Sequence, residues 1–249
     1  MNIKSAQTGV IKKEIAPSAE SATVVAGILL IAGSSSRMGF PKPLLPFGDQ
    51  TLLALLLERI LKSDLARVIV VLGPKAEEIE KVIRKVKNSS KMSLVYNPDF
   101  KKGLSSSISA GLAQIDPQIS GVMFLMGDQP LLTTDVINKL IREFKKSPAP
   151  ITVPLYGKIP GNPAVFRTFL VPELQEITGD TGGRELIKKY WDQIRKVPIR
   201  HQRIGWDVDT WEDYQRVLKS FRPKNIIPRK SPKGAKKTNF IFQASPEKN

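Results

Sequence analysis

The segment VVAGILLIAGSSSRMGFPKPLL, residues 24–45, begins with eight apolar or small residues and then breaks into glycine, serine, proline and two cations. A continuous aliphatic run that stops at a glycine reads as a strand buried on both faces, the kind that parallel sheets use. Open parallel sheets bind ligands beyond the carboxyl ends of their strands, so the loop from Ile31 to Leu45 is the first place to look for chemistry. Gly33 and Gly39 let that backbone bend and approach a ligand closely, while Ala32, Ser34, Ser35 and Ser36 leave amides and small hydroxyls unobstructed. Arg37 and Lys42 add two positive charges. This is a loop that a triphosphate could occupy, although a plain strand-to-helix connection can also look like this. It is not a Walker A loop, because Lys42 lies between Pro41 and Pro43, and no dinucleotide-binding GxGxxG pattern is present.

Outward from this segment the chain keeps a strand-helix rhythm. LLALLLERIL (52–61) has the length of a buried helix, RVIVVLG (67–73) repeats the strand pattern, and Ile79, Val82, Ile83 and Val86 share one helical face. SLVYN (93–97), a helix from Ser105 to Ile115, GVMFLMG (121–127) and a helix from Val136 to Phe144 continue it. Four such units predict an α/β fold with helices on both faces of a mainly parallel sheet. Beyond Pro148 the pattern loosens into ITVPLY (151–156), AVF (164–166), a helix near 183–191, KVPI (196–199) and a last helix from Trp211. Prolines at 154, 160, 163 and 172 predict edge strands and long loops there.

Two acidic segments fall where a metal could be held. Asp128 in MGDQP ends the fourth strand, at the same sheet edge as the loop, where one carboxylate with nucleotide oxygens and waters can complete an octahedron; capping the next helix is the other reading. In WDVDTWED (206–213), an extended backbone sends Asp207 and Asp209 to one side and Trp206 and Val208 to the other. These two aspartates fit either metal ligation or the entry to a helix. Asp213 reads as structural, a partner for an N-cap at Thr210.

Composition narrows the chemistry. With no cysteine and one histidine in 249 residues, a Cys-based zinc or iron-sulfur site and a multi-His site are excluded. A metal here would sit among oxygens, which favours Mg2+ or Mn2+. The formal charge is +16, of which the stretch 222–249 carries a net +7. Residues 1–22 are expected to be a flexible leader, 23–221 a single domain, and 222–249 a basic, disordered tail with weak attraction for nucleic acid. The charged N-terminus lacks a signal-peptide core and no run approaches the roughly 18 apolar residues of a membrane helix, so a cytoplasmic location without membrane partners is expected. His201, in the basic stretch RHQR, reads as a surface residue.

Taken together, LIAGSSSRMGFPKPLL resembles the signature L-x-A-G-x-S-x-R-M-G-x-x-K-x-L-L of the Rossmann-like nucleotidyltransferases. NPDFKKGLSSSISAGL (97–112), GDQP (127–130) and GDTGGREL (179–186) are similar to the MobA-like branch that contains molybdenum cofactor cytidylyltransferase, and WDVDTWEDY (206–214) resembles a closing D-x-D-T-P-E-D element. The resemblance covers residues 25–218. It implies a three-layer Rossmann-like fold with a mainly parallel, mixed sheet, and transfer of a nucleotidyl group from an NTP, with CTP to molybdopterin preferred. A sugar phosphate acceptor, GTP as donor, or a non-catalytic carrier of nucleotide or cofactor are the alternatives. By this resemblance Gly33, Arg37 and Lys42 bind the triphosphate, and Asn97, Ser105 and Ser107 lie along the base and ribose. Asp128 holds Mg2+ with Asp207 or Asp209. Gly161, Asn162, Pro163, Asp180, Gly183 and Arg184 face the acceptor, and a molybdoenzyme could receive the product. The chain departs from the pattern in having Asn162 where the family often has histidine, which bears on the acceptor, and Trp211 where proline is usual.

Overall fold

All seven residues of β1 (Val25–Ile31) are buried, as a strand covered on both faces must be. It is the centre of a computed structural model that describes residues 23–33, 38–73, 76–87 and 89–221. Ser34 to Arg37, the leader 1–22 and the tail 222–249 lie outside the described residues.

After β1, the short strands β2 (Pro46–Phe47) and β3 (Gln50–Thr51) form a small antiparallel pair that leads into α1 (Leu52–Leu61). β4 (Arg67–Leu72), α2 (Ala76–Ile83), β5 (Met92–Tyr96), α3 (Leu104–Leu112), β6 (Gly121–Met126) and α4 (Thr134–Lys146) follow the expected alternation. The second half supplies β7 (Ile151–Tyr156), β8 (Ile159–Pro160), β9 (Ala164–Arg167), α5 (Val171–Gln175), α6 (Arg184–Lys189), β10 (Arg195–Ile199) and α7 (Trp211–Ser220). The sheet order is β10-β7-β9-β6-β1-β4-β5, with β8 beside β7. β1 runs parallel to both β4 and β6, whereas β9 is antiparallel to β6 and β7, so the sheet is mixed but mostly parallel. Among the described residues no helix is long and apolar enough to cross a membrane.

Alternation along β1 builds two cores. Leu29 and Ile31 pack with α1, α2 and α4, while Ile28 and Leu30 face α3, Leu170, Leu174 and Leu186 on the opposite side. A third core matters most for function: Met38, Leu45 and Phe47 from the loop after β1 pack with Leu52, Val208, Tyr214 and Val217. Each such side chain contributes about 1.5–3 kcal/mol when fully buried. This cluster fixes the stem of the loop after β1 against the segment that carries Asp207 and Asp209.

Two expectations need correction. Pro154 was expected on an edge strand, but β7 is interior, between β10 and β9. The proline is tolerated because β9 pairs with Ile151 and Thr152 and β8 with Leu155 and Tyr156, which leaves Pro154 in the gap between them, where its carbonyl accepts the Gly161 amide. The third helix begins at Leu104, where Gly103 at φ +99° sets its start, and ends at Leu112, short of Ile115.

Candidate active site

The carboxyl ends of β1 and β6 border a cleft of about 440 Å³. Ala32, Gly33, Lys42, Ser107, Asp128 and Asp180 all line it, together with Phe100, Lys101 and Leu104. Six of the residues singled out in the sequence, drawn from four separate segments, therefore meet in one place. Gly33 has open space where a Cβ would stand, so a ligand can approach its backbone, and Gly39 adopts φ +64°, a turn that other residues rarely make.

Lys42 follows Pro41 in a single tight turn, Lys42–Leu44, whose proline-rich sequence presents the side chain without starting a long helix. Its ammonium donates to Asp209 Oδ1 at 2.6 Å and lies 4.0 Å from Asp128 Oδ2. The carbonyl of Asp128 accepts the amide of Val208 at 2.9 Å, which stitches the end of β6 to the WDVD segment. Val208 is fully buried and Asp207 and Asp209 point the other way, as alternation predicts. Thr210 and Asp213 form a reciprocal capping box at the start of α7, so Asp213 is structural. Asp128 caps nothing, because Thr133 is the N-cap of α4.

Burial, and next the charge of Asp207, push the Asp128 carboxyl up to about 6, against the opposing pull of Lys42. Asp207 is also raised, first by burial and then by Asp209, with the Gln129 amide opposing the shift. Asp128 Oδ1 is buried with no hydrogen-bond partner among the described residues. A hard cation suits such an oxygen, and an ion that keeps phosphate oxygens and waters needs only one or two carboxylates. Among the described residues no three His, Cys, Asp or Glu side chains form a preassembled cage.

Gln129 and Tyr156 were not singled out in the sequence. Gln129 is buried and its amide donates to Asp207 Oδ1 at 2.8 Å. Tyr156 donates its hydroxyl to the carbonyl of Asn162 at 2.7 Å, and its acidity is weakened by burial and then by the charge of Asp207. The position of Gln129 in GDQP was a usable signal; Tyr156, in an ordinary strand, offered none.

The other expected residues divide into two sets. Asn97 is buried, donates to Ser106 Oγ and Ser107 Oγ at 2.9 Å, and so staples the end of β5 to α3. Ser105 is buried, and its amide donates to the carbonyl of Gly179. Asp180 accepts the Leu104 amide at the start of α3, which brings the GDTGG segment to the wall of the cleft. Gly161, Asn162, Gly183 and Arg184 do not line it. Gly161 packs on the Tyr156 ring, Asn162 precedes Pro163 in a cis peptide, and Gly183 lies against the Phe166 ring. The guanidinium of Arg184 helps to lower the Asp207 carboxyl, so it faces the acidic cluster.

A mostly parallel sheet with a cation and carboxylates beyond its strand ends defines the Rossmann-like nucleotidyltransferase class. Residues 27–194 match the MobA-like NTP transferase domain, and the chain belongs to that family. It is 28% identical over 187 residues to the molybdenum cofactor cytidylyltransferase of Escherichia coli, covering 75% of this chain and 92% of that one. It is also 28% identical over 203 residues to nicotine blue oxidoreductase of Paenarthrobacter nicotinovorans, covering 78% and 96% respectively. The structure of Rv0371c from Mycobacterium tuberculosis in complex with manganese superposes with a TM-score of 0.66 at 26% identity, covering 80% of this chain and all of that one.

Proposed function

We propose that this protein transfers a nucleoside monophosphate from CTP to the phosphate of molybdopterin, releasing pyrophosphate. The observation that carries the reading is the meeting of Lys42 and Asp128 at the wall of a cleft, with Asp209 bound to the Lys42 ammonium and one Asp128 oxygen buried without a partner among the described residues. Likeness to the Escherichia coli cytidylyltransferase along nearly its whole length supports the choice of donor and acceptor.

In the reaction an acceptor phosphate oxygen attacks the α-phosphorus, the bond from that phosphorus to the bridging oxygen breaks, and negative charge grows on the departing pyrophosphate. Lys42, with Arg37 from the same loop, would stabilise that charge, and the backbone at Ala32 and Gly33 would hold the phosphates in place, with Ser34, Ser35 and Ser36 completing the loop. Asp128 with Asp207 or Asp209 would hold a divalent ion, Mg2+ or Mn2+, which supplies further charge neutralisation at the phosphates. The manganese complex of Rv0371c supports the presence of a divalent ion. Asn97, Ser105 and Ser107 would shape the base and ribose side; Asp180 and Arg184 would meet the acceptor, with Gly161, Asn162 and Gly183 shaping the surface behind them. An acceptor phosphate is already ionised at neutral pH, so no general base is required, in keeping with a lone histidine that is exposed at position 201.

The test is to incubate the protein with each NTP and molybdopterin in the presence of Mg2+ or Mn2+ while following pyrophosphate. Release with CTP and molybdopterin is expected. Release with GTP, or with a sugar phosphate as acceptor, would keep the transferase and replace its substrates. Nucleotide binding without pyrophosphate from any pair would make the protein a carrier.

A further inference from the structure

Among the described residues, the acidic cluster already contains a cation. Asp128, Asp207 and Asp209 act on one another electrostatically, each of the first two being raised by a neighbouring carboxylate, and such a group needs positive charge to stay assembled. Lys42 provides it: its ammonium is 2.6 Å from Asp209 and 4.0 Å from Asp128, it is largely buried, and it lowers both Asp128 and Asp207. A divalent ion drawn to Asp128 and a neighbouring aspartate would have to settle beside this ammonium. Like charges at such spacing repel strongly where water is scarce.

We infer that in the nucleotide-free protein Lys42 takes the electrostatic place of the divalent ion, so that the cluster binds the metal weakly until a triphosphate draws the ammonium away. The inference rests on the metal assignment proposed above and adds an order to it. Asp209 acts as the resting dock of the lysine: Lys42 lines the cleft while the Asp209 side chain is about half exposed, so a phosphate entering the cleft can exchange for a carboxylate that solvent can take up. Asp128, with its orphaned Oδ1, remains available for the ion that arrives with the nucleotide. The ion and the donor would thus enter together, and the free protein would be guarded against holding a metal without its substrate.

Direct Mn2+ binding, read from the electron paramagnetic resonance signal of free Mn2+ with no nucleotide present, tests this without relying on turnover. Lys42→Gln and Lys42→Met are expected to bind Mn2+ at least tenfold more tightly than the natural chain, even though both lose transferase activity. Lys42→Arg, which keeps the charge, should bind as weakly as the natural chain. Lys101→Gln removes another cation from the cleft wall, one not paired with these carboxylates, and should change Mn2+ affinity less than twofold. Asp128→Asn in the Lys42→Gln background should abolish the gain. Unchanged or weaker Mn2+ binding in both neutral variants would overturn the inference, while the pyrophosphate assay on the natural chain independently decides the transferase reading. Two neutral replacements that agree, each with an intact melting transition, exclude a folding artefact.

Discussion

The two halves of the sheet make their contributions differently. On the side proposed for the donor, the loops after β1 and β6 and the first turns of α3 line the cleft with their own side chains, Lys42, Asp128 and Ser107. On the acceptor side, β7 to β10 and the GDTGG segment act mainly through packing. Gly161 lies against Tyr156, Gly183 against Phe166, and Tyr156 ties down Asn162 by its carbonyl. The first half should therefore fail through lost chemistry and the second through lost shape.

The largest effect is expected at Asp128. Asp128→Asn should lower kcat/KM by roughly a thousandfold or more, a loss typical of removing a group that organises transition-state charge. The same change should stabilise the free protein at neutral pH. A carboxyl raised from 3.8 to about 6 favours folding while protonated, below about pH 4, and loses that contribution as pH rises through 6. At pH 7 the penalty is on the order of 2–3 kcal/mol, equivalent to roughly 5 °C or more in Tm for a domain of this size. Melting curves of both proteins from pH 4 to 8 check this: they should nearly coincide at pH 4, separate as pH rises to about 6, and keep a constant gap above that. If the natural chain is the more stable of the two at pH 7, Asp128 is held by compensations that the structure does not contain.

The same contrast explains what was legible in the sequence. β1, β4 and β6 are buried almost throughout, and their aliphatic runs are unmistakable because a two-sided strand tolerates little else. That Lys42 and Asp128 meet at one edge could be anticipated from strand ends alone, since a parallel sheet brings its carboxyl-end loops together, whereas Asp209, beyond any strand end, was placed with them only by the family resemblance. The interior place of Pro154 could not, because it depends on two partner strands dividing β7 between them. Nor could the roles of Gln129 and Tyr156, whose partners Asp207 and Asn162 are fixed by tertiary packing. Asn97 was recognised by position, but its use as a staple to Ser106 and Ser107 emerges only with α3 in place.

A middle-sized effect should sharpen the shape argument. A Cβ at Gly183 would come within 2.7 Å of the Phe166 ring, and that ring is buried and in contact with Phe124. Backbone strain is not at issue there, since φ is −69°. Gly183→Ala should cost about 1–3 kcal/mol through overpacking. It should raise KM for the acceptor several-fold while leaving KM for the donor within twofold, because the donor wall is carried by other elements. Steady-state kinetics with each substrate varied in turn separates the two. A matching rise in donor KM would show that the halves are not independent, and the Asp180 bond to the Leu104 amide would be the route of coupling.

The smallest effect on catalysis is expected from the charge that lies in neither half. Residues 222–249 hold eight Lys or Arg and one Glu, nearly half of the protein's net charge. Charge of this kind binds polyanions through counterion release, with an affinity that falls steeply as salt rises, and needs no particular geometry. Truncation after Phe221 should therefore leave kcat/KM for pyrophosphate release within about twofold at physiological salt, since long-range attraction between exposed charges is largely screened there. Retention on a heparin column should shift to distinctly lower salt. The two measurements oppose one another usefully. A tenfold loss of turnover on truncation, persisting at high salt, would mean that the segment contributes to substrate binding by contact rather than by field, and the donor half would no longer be complete with the residues assigned to it.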